Sequence, residues 1–469
     1  MAIQKMTKVQ LIIKNAEYYM NDAFFKGNIV VDGGKIVGIT QLDPTIEAER
    51  VIDAEGKKVL PGIVDSHVHF RDPGRDDRET FFTGSRGAVA GGVTTICEMP
   101  ITCPPVYNLD ILESRIKKAN DLCIMDFAFY GAAGYGNRDQ LQTLVDNGVC
   151  AFKTFLHPAP EGREKEFIGL TADDDGQLYM MMKTAAKTGA RYTFHCENYK
   201  LIEALEKELH EEGVEDYSFH YKSRAKIAET ESVSTIIQFA KDTGCKVGIV
   251  HISAPEACEL VKKAQQEGVD IIAETCFHYL AFDDTDIDRM GPYAKCNPPL
   301  RSAEDVKKLW GYVMDGTISY IGSDHAPFIK EEKEKGKREG IWKAYSGMPA
   351  IECFLPMMLT HVNEGSLTLE KMCQIMSENV CKQFGLYPQK GCIGLGADAD
   401  FVIVDMDKEY EMKIENMFSK ARECNELFDG IKCKGGVDYT IVRGRVVFED
   451  GQVDDSAQGY GQYVARKVK

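Results

Sequence analysis

The chain has 469 residues and a mass of 52.4 kDa, which is too long for one small domain but suits an α/β barrel with a smaller attachment. Its formal net charge of −17 argues against a nucleic-acid partner, because a nucleic-acid surface needs clustered basic residues. No segment approaches the roughly 20 apolar residues of a membrane span, so we expect no membrane partner and no signal peptide.

The fifteen cysteines are odd in number and scattered along the chain. No C-x-x-C pair occurs, which argues against a structural zinc module. Several of the cysteines lie within apolar, strand-like runs, where a thiol behaves as a small hydrophobic group. We therefore expect reduced thiols and a cytoplasmic location.

The two ends of the chain share one pattern. Residues 8–58 and the chain after about residue 393 read as short strands with alternating apolar and polar residues and Asp-Gly or Gly-Gly turns. This pattern is typical of antiparallel β structure. We predict that residues 1–57 and 393–469 join into one small β-sandwich, with residues 58–392 forming a separate domain between them.

In the central part, eight apolar runs alternate with helical or looped stretches, which favours a (β/α)₈ TIM-like barrel of the α/β class. The runs begin at VLPGIVDSHVHF, include CAFKTFL, RYTFHCEN and KVGIVHIS, and end at ISYIGSDHAP. The charged run IKEEKEKGKREG, residues 329–340, follows the last of them. We expect this run to be a solvated, mobile loop over the barrel mouth.

Six potential metal-binding side chains lie at the carboxyl ends of these apolar runs. Residues that end parallel strands meet at one face of a barrel, so the six are expected to form one site. Imidazoles, a carboxylate and a lysine together suit a hydrolytic centre with two metal ions. The six residues are His67, His69, Lys153, His195, His251 and Asp324.

His67 and His69 are separated by one residue on an extended strand, so both imidazoles face the same side and can hold one metal. Alone, H-x-H is a weak signal that also fits two packed histidines. His195 and His251 each end a strand and can ligate a second metal. His278 is interpreted as structural or as a support for a ligand.

Lys153 is the unusual member of the set. A lysine inside CAFKTFL would bury an ammonium at a large desolvation cost unless it is neutralised or paired. If the amine reacts with carbon dioxide, the resulting carbamate is an anion that can bridge two cations. The alternative is a lysine whose amine reaches the barrel rim.

Asp324 completes the set as a ligand and as the predicted catalytic residue. Two metals about 3.5–4 Å apart polarise a bridging water and lower its pKa toward 7. Asp324 can then take the proton of the hydroxide as it attacks a carbonyl carbon and deliver that proton to the leaving nitrogen. Such a site hydrolyses amides, lactams, ureas or esters.

With these residues in place, the chain resembles the cyclic amidohydrolases, the group that contains dihydroorotases, hydantoinases or dihydropyrimidinases, and allantoinases. The resemblance covers nearly the whole chain and is greatest to allantoinases, through GGVTTICEMP, FHCEN, ETCFHYL and SDHAP. It implies a binuclear centre, usually zinc, bridged by a carboxylated lysine, with the six residues above on the ligand positions. It also implies a homotetramer.

Two positions, Ile101 and Pro158, distinguish the members of this group, whereas Arg71 does not discriminate among them. Dihydroorotases pair an arginine after H-x-H with an asparagine after Met-Pro; Arg71 is present here, but Ile101 stands in place of the asparagine. Hydantoinases usually carry a tyrosine five residues beyond the lysine, where this chain has Pro158. These differences favour allantoin, opened to allantoate, with a hydantoinase or dihydropyrimidinase next and a dihydroorotase third.

The chain also departs from the allantoinase pattern, at Thr102, at Ala225 and in the segment 345–348, so a related cyclic ureide stays open as the substrate. The resemblance implies that Arg71, Asn297, Ser346 and Gly347 contact the substrate, the last three partly through the main chain. The non-enzymatic alternative is a metal-free scaffold, like the collapsin response mediator proteins. Retention of all six ligand types argues against it.

Overall fold

The computed structural model describes residues 8–160 and 162–467. Its strands are β1 (Lys8–Met20), β2 (Ala23–Asp32), β3 (Lys35–Thr40), β4 (Glu47–Asp53), β5 (Lys58–Pro61), β6 (Ile63–Val68), β7 (Val93–Glu98), β8 (Asp126–Ala132), β9 (Ala151–Phe155), β10 (Arg191–His195), β11 (Lys246–Ile249), β12 (Ile271–Cys276), β13 (Ile318–Gly322), β14 (Phe401–Glu411), β15 (Lys432–Val442), β16 (Arg445–Glu449) and β17 (Gln452–Val453).

Its α-helices are α1 (Phe81–Ala90), α2 (Leu109–Leu122), α3 (Leu141–Asp146), α4 (Asp175–Ala185), α5 (Tyr199–Glu211), α6 (Phe219–Ser223), α7 (Lys226–Thr243), α8 (Pro255–Gln266), α9 (Phe277–Ala281), α10 (Asp284–Met290), α11 (Ala303–Met314), α12 (Lys330–Glu339), α13 (Ile351–Asn363), α14 (Leu369–Cys373) and α15 (Asn379–Phe384). Within the described ranges, no helix is both long enough and apolar enough to cross a membrane.

Strands β6 to β13 form an eight-stranded parallel sheet in which each strand pairs with the next along the chain. Val68 at the end of β6 pairs with His325 just after β13, and this contact closes the ring. Most residues of these strands are fully buried, because helices cover the outside and side chains fill the inside. The predicted barrel and its eight strands are confirmed.

A second, mixed sheet unites the two ends of the chain. Its hydrogen-bonded order is β3-β2-β1-β5-β14-β15-β16-β17, with β4 parallel to β1. The junction is β5, which is parallel to β1 and antiparallel to β14. This sheet has its own apolar cluster, which includes Leu11, Ile29, Val59, Phe401 and Ile441. The domain boundaries at residues 57 and 392 stay predictions.

A buried ion cluster joins this sheet to the barrel. Lys390, which is 1% exposed, contacts Asp126 at the start of β8 and bonds Asp400 at 2.7 Å and Asp398 at 3.1 Å. Arg443 also bonds Asp126, at 3.0 Å. Lys35 bonds Asp398 at 2.5 Å, so three cations face three carboxylates, and this match is what makes their burial tolerable.

The prediction of a mobile loop at residues 329–340 is wrong, because most of this run forms helix α12. Lys333 is 0% exposed and points inward, where its ammonium reaches main-chain carbonyl oxygens. Glu332 bonds Arg75 and Arg78 at 2.8 and 2.7 Å. Lys333 and Glu332 therefore fix the helix to the protein, while Glu331, Lys335 and Arg338 stay exposed to solvent.

Candidate active site

Three of the predicted ligands form a compact cluster at the carboxyl end of the barrel. His67 lies in β6, His69 follows it, and Asp324 lies two residues after β13, the strand that neighbours β6 in the closed ring. The Oδ1 atom of Asp324 is 3.2 Å from His67 Nε2 and 3.4 Å from His69 Nε2. All three residues are buried, and their ligand atoms lie within 4.8 Å of one another, as a shared metal ion requires.

Glu274 orients this cluster and was not identified from the sequence. Its Oε1 atom accepts a hydrogen bond from His67 Nδ1 at 2.6 Å, which leaves the Nε2 lone pair facing Asp324. Its Oε2 atom accepts a hydrogen bond from Ser66 at 2.7 Å. A carboxylate that fixes the tautomer of a histidine is a common support in metal sites. The available signal was a glutamate inside the apolar strand IIAETC, where a charge needs a partner.

A second histidine pair lies on the neighbouring strands. His195 ends β10, His251 follows β11, and His195 Nδ1 is 3.0 Å from His251 Nε2. Glu197, also missed in the sequence, bonds His195 Nε2 at 2.8 Å and accepts a hydrogen bond from Arg224 at 2.6 Å. The bond to Glu197 directs the Nδ1 lone pair of His195 toward His251, so the two nitrogens can bind one ion.

Lys153 sits in β9 and is 1% exposed. Its Nζ atom has no hydrogen-bond partner among the described residues and lies 5.0 Å from the centre of the Phe155 ring. Burial lowers the pKa of Lys153 to about 8. The alternative of an amine that reaches the rim is therefore excluded by its burial, and an unpartnered buried amine fits a group that is modified or bound to metal.

Burial also lowers the pKa values of His69, His195 and His251 below their ordinary range. These imidazoles are therefore neutral near pH 7, which is the state in which histidine binds metal. Burial acts to raise the pKa of Asp324, but the neighbouring His67 and His69 outweigh it, and the pKa lies well below its ordinary value. Asp324 is therefore an anion.

The backbone is strained at three candidate site residues. Arg71, His251 and Asp324 have φ angles of 63°, 40° and 47°. Such left-handed conformations cost about 1–3 kcal/mol each for residues other than glycine, and they gather at functional sites. The surrounding barrel holds the site in a geometry that the isolated chain would avoid.

All of the predicted ligand and substrate-contact residues line one cavity of about 300 Å³. They are His67, His69, Arg71, Lys153, His195, His251, Asn297, Asp324, Ser346 and Gly347. The cavity wall also includes Ile101, His157, Arg163 and Phe167. The Nε and Nη1 atoms of Arg71 are buried without a hydrogen-bond partner among the described residues. Glu166 Oε2 lies 3.9 Å from Nη1, beyond hydrogen-bond distance, so both atoms can donate a hydrogen bond to a ligand.

Other clusters and histidines lie outside this site. Asp126, Asp398 and Asp400 form a second acidic group, but the Lys390 ammonium occupies its centre. His278 is buried but does not line the cavity. All fifteen cysteines lie in the described ranges and none forms a disulfide.

A parallel barrel with this group of imidazoles, carboxylate and lysine at its carboxyl end is the architecture of a hydrolase. The family model described as "Amidohydrolase family" matches residues 58–447. The chain belongs to this amidohydrolase family. The predicted class of enzyme, a cyclic amidohydrolase acting on C–N bonds other than peptide bonds, is confirmed at this level.

The similar proteins include both hydantoinases and allantoinases. An L-hydantoinase of Paenarthrobacter aurescens is 37% identical, covering 97% of this chain and 98% of the relative. An allantoinase of Desulfitobacterium hafniense is 36% identical, covering 96% and 97%. Among solved structures, the L-hydantoinase (dihydropyrimidinase) from Arthrobacter aurescens matches with a TM-score of 0.91 at 36% identity, covering 98% of this chain and 100% of that one.

Proposed function

We propose that this protein hydrolyses a cyclic amide bond of a ureide ring in a metal-dependent reaction, with allantoin, opened to allantoate, as its substrate. The observation that carries this proposal is the meeting of all six candidate ligands at one cavity. The allantoinase relatives support the choice of ring. The non-enzymatic scaffold has the least support, because every candidate ligand faces the same cavity.

The donor set fits two divalent metal ions, for which we propose zinc. His67, His69 and Asp324 would hold one, and His195 and His251 the other. When bound, such ions polarise a carbonyl group and lower the pKa of water. Lys153 would lie between them as its carbon dioxide adduct. An unprotonated Lys153 amine attacks carbon dioxide, forms a C–N bond and releases one proton, which gives an anionic carbamate.

Asp324 is the proposed proton carrier. As an anion in the cavity, it can accept the proton of the attacking water and then donate it to the ring nitrogen as the C–N bond breaks. Glu274 and Glu197 hold the imidazoles around it in fixed tautomers. The reaction therefore needs little reorganisation of the protein, and this preorganisation lowers the activation free energy.

Substrate orientation is assigned to Arg71, Asn297, Ser346 and Gly347. The buried Asn297 Oδ1 atom has no partner among the described residues and can accept a hydrogen bond from a ring N–H. The main-chain groups of Ser346 can pair with the N–C(=O)–N edge of a ureide, with Gly347 beside them, whose own N–H and C=O are bonded to Lys295 and Lys333. This recognition depends on the ring rather than on its substituent.

A second candidate substrate is a hydantoin with an apolar substituent. Ile101, Phe155 and Phe167 contribute apolar surface to the cavity, and the L-hydantoinase relative is as similar as the allantoinases. Both candidates share the hydantoin ring, so the chemistry is the same and only the pocket for the substituent differs. The predicted homotetramer and cytoplasmic location stay predictions.

The test is ring-opening turnover of protein loaded with zinc and bicarbonate, measured in parallel on allantoin, hydantoin, 5-benzylhydantoin, dihydrouracil and dihydroorotate. We expect the highest kcat/KM on allantoin. A higher value on 5-benzylhydantoin would reassign the substituent pocket while keeping the reaction. Stoichiometric metal with no turnover of any ring would contradict the proposal, and purification without metal would favour the scaffold alternative.

A further inference from the structure

Residues 341–347 form one wall of the cavity between α12 and the start of α13. Ser346 and Gly347 line the cavity, and Gly347 N donates a hydrogen bond to Lys295 O at 2.8 Å. Asn297, two residues after Lys295, also lines the cavity. This bond fixes the two proposed substrate-contact segments relative to each other.

Gly347 allows the close approach of this wall. Its φ is 134°, and a Cβ atom there would lie 2.6 Å from the Cβ of Ala326, which is two residues beyond Asp324. Any larger residue would push the segment away from the cavity floor. The position of the main chain is therefore tightly set.

Two buried lysines hold this segment through its carbonyl groups. Lys295 is 6% exposed, and its Nζ donates to the oxygens of Ile341 at 2.8 Å and Ala344 at 2.7 Å. Lys333 is 0% exposed, and its Nζ donates to the oxygens of Tyr345 at 3.0 Å and Gly347 at 2.6 Å. Four carbonyl groups of one short segment are thus bound to two ammonium groups.

These are costly residues to bury. Among the described residues, each ammonium donates only to main-chain oxygens and to no carboxylate. Burial lowers the pKa of Lys295 to about 7 and that of Lys333 to about 8. A methionine would fill a similar volume without desolvating a charge, so packing alone does not account for either lysine.

Aromatic contacts hold the same segment from outside. Trp342 packs against Phe219 and His210, each at a ring-centre distance of 4.9 Å. Tyr345 stacks on Phe328 at 5.6 Å. The outer side of the segment is anchored by rings, and the lysines bind the carbonyl groups of its main chain.

We propose that Lys295 and Lys333 are positioning residues for substrate specificity: they hold residues 341–347, with the N–H and C=O of Gly347 bonded inside the protein, so that the main chain at Ser346 meets the substrate ring. This inference rests on the proposed function, because it takes that main chain as the surface that binds the ring. Neither lysine lines the cavity, so both act through the segment.

The test compares Lys333→Met and Lys295→Met with Lys335→Met, which removes a half-exposed lysine from the same helix α12. We expect KM for the ring substrate to rise about tenfold or more in the first two, with kcat within about threefold, because binding is lost rather than chemistry. We expect amide hydrogen exchange across residues 340–348 to rise about tenfold. Metal content and the Lys335→Met values should equal those of the unaltered protein.

Unchanged exchange in both lysine variants would overturn the inference, as would faster exchange with an unchanged KM. Loss of metal together with a fall in kcat would also overturn it, since the lysines would then serve the whole fold. If one methionine variant does not fold, the other is judged by the same criteria, because each lysine binds two carbonyl groups of the segment. Exchange needs no substrate, so a failure of every ring substrate would reject the proposed function while exchange still decides whether the lysines hold the segment.

Discussion

At the scale of single residues, the site depends on buried ionisable groups whose directions are set by a neighbour. Glu274 directs His67, and Glu197 directs His195. Lys153 differs, because its amine has no partner among the described residues. Substitution of Lys153 should therefore remove function with little effect on the surrounding packing.

Lys153→Ala should lower kcat/KM at least about 10³-fold, because the bridging anion proposed at this position is lost. Bound metal should fall by at least one equivalent per chain. Turnover and elemental analysis of the purified variant measure the two effects. Added short carboxylic acids should restore part of the activity, since a carboxylate can occupy the space of the missing side chain.

The control is Lys165→Ala, which removes an exposed lysine near the cavity mouth and should leave turnover and metal content unchanged. Full activity of the Lys153→Ala variant would reject the carbamate. Loss of activity with both metals retained would assign the lysine another role.

At the scale of elements, helix α1 packs closely against Phe70, which is adjacent to the candidate ligand His69. A Cβ atom at Gly84 would lie 2.4 Å from the ring of Phe70, the residue after His69. Phe70 is itself enclosed, with Phe81 and His325 at ring distances of 6.2 and 5.6 Å. The helix can approach Phe70 this closely only because residue 84 has no side chain.

Gly84→Ala should therefore destabilise the protein by about 1–3 kcal/mol, since overpacking outweighs the roughly 1 kcal/mol that alanine gains in a helix. Gly311→Ala is the matched control, because Gly311 lies in α11 with nothing within 4 Å of an added Cβ. That variant should be stabilised by about 0.5–1 kcal/mol. Chemical denaturation of both variants gives the comparison, and equal shifts of the same sign would contradict the overpacking argument.

Helix α13 should make stability depend on pH. Glu352 in its first turn is half-buried, and desolvation of its carboxyl group raises its pKa from 4.5 to about 8; this group accepts hydrogen bonds from the Phe418 and Ser419 main chain. The folded state then binds this proton more tightly than the unfolded state. The contribution of Glu352 to the free energy of unfolding is complete below about pH 4.5. It falls by about 1.4 kcal/mol per pH unit as the pH rises from there to about 8, where it is lost.

Glu352→Gln should remove this dependence, because the amide oxygen can still accept both hydrogen bonds and carries no charge. The free energy of unfolding of both proteins is measured by denaturant titration from pH 6 to 9. As the pH rises, it should fall in the unaltered protein relative to the variant. Glu113→Gln, at an exposed position of α2, should follow the unaltered protein. Parallel curves for all three proteins would show that Glu352 does not titrate in this range.

At the scale of the whole molecule, the sequence was sufficient to predict the barrel and to predict that the six candidate side chains meet at one cavity. The apolar runs that end in histidine, lysine or aspartate mark the strands, and topology alone brings such ends together, so His67 and Asp324 meet although they are 257 positions apart. The sequence also predicted that both chain ends join in one small β-sandwich, because their turn-rich alternation differs from the central pattern, and the structure joins them in one mixed sheet.

The sequence did not predict the role of a residue when that role depends on a hydrogen-bond partner that the fold supplies. Glu274 and Glu197 look like ordinary strand and loop glutamates until the fold places an imidazole beside each. The charged run at 329–340 has a solvated composition, yet tertiary carbonyl acceptors turn Lys333 inward and allow a helix. Glu274 is 207 positions from His67, and although Glu197 is only two positions from His195, no local periodicity encodes either contact.

The sheet shared by both chain ends has a consequence during synthesis. Strand β5 ends at Pro61, and its partner β14 begins at Phe401. At about 5–20 residues per second on the ribosome, β5 waits roughly 17–70 s for that partner. During this interval one edge of the nascent sheet can pair with other chains, and chaperones have a defined strand to shield.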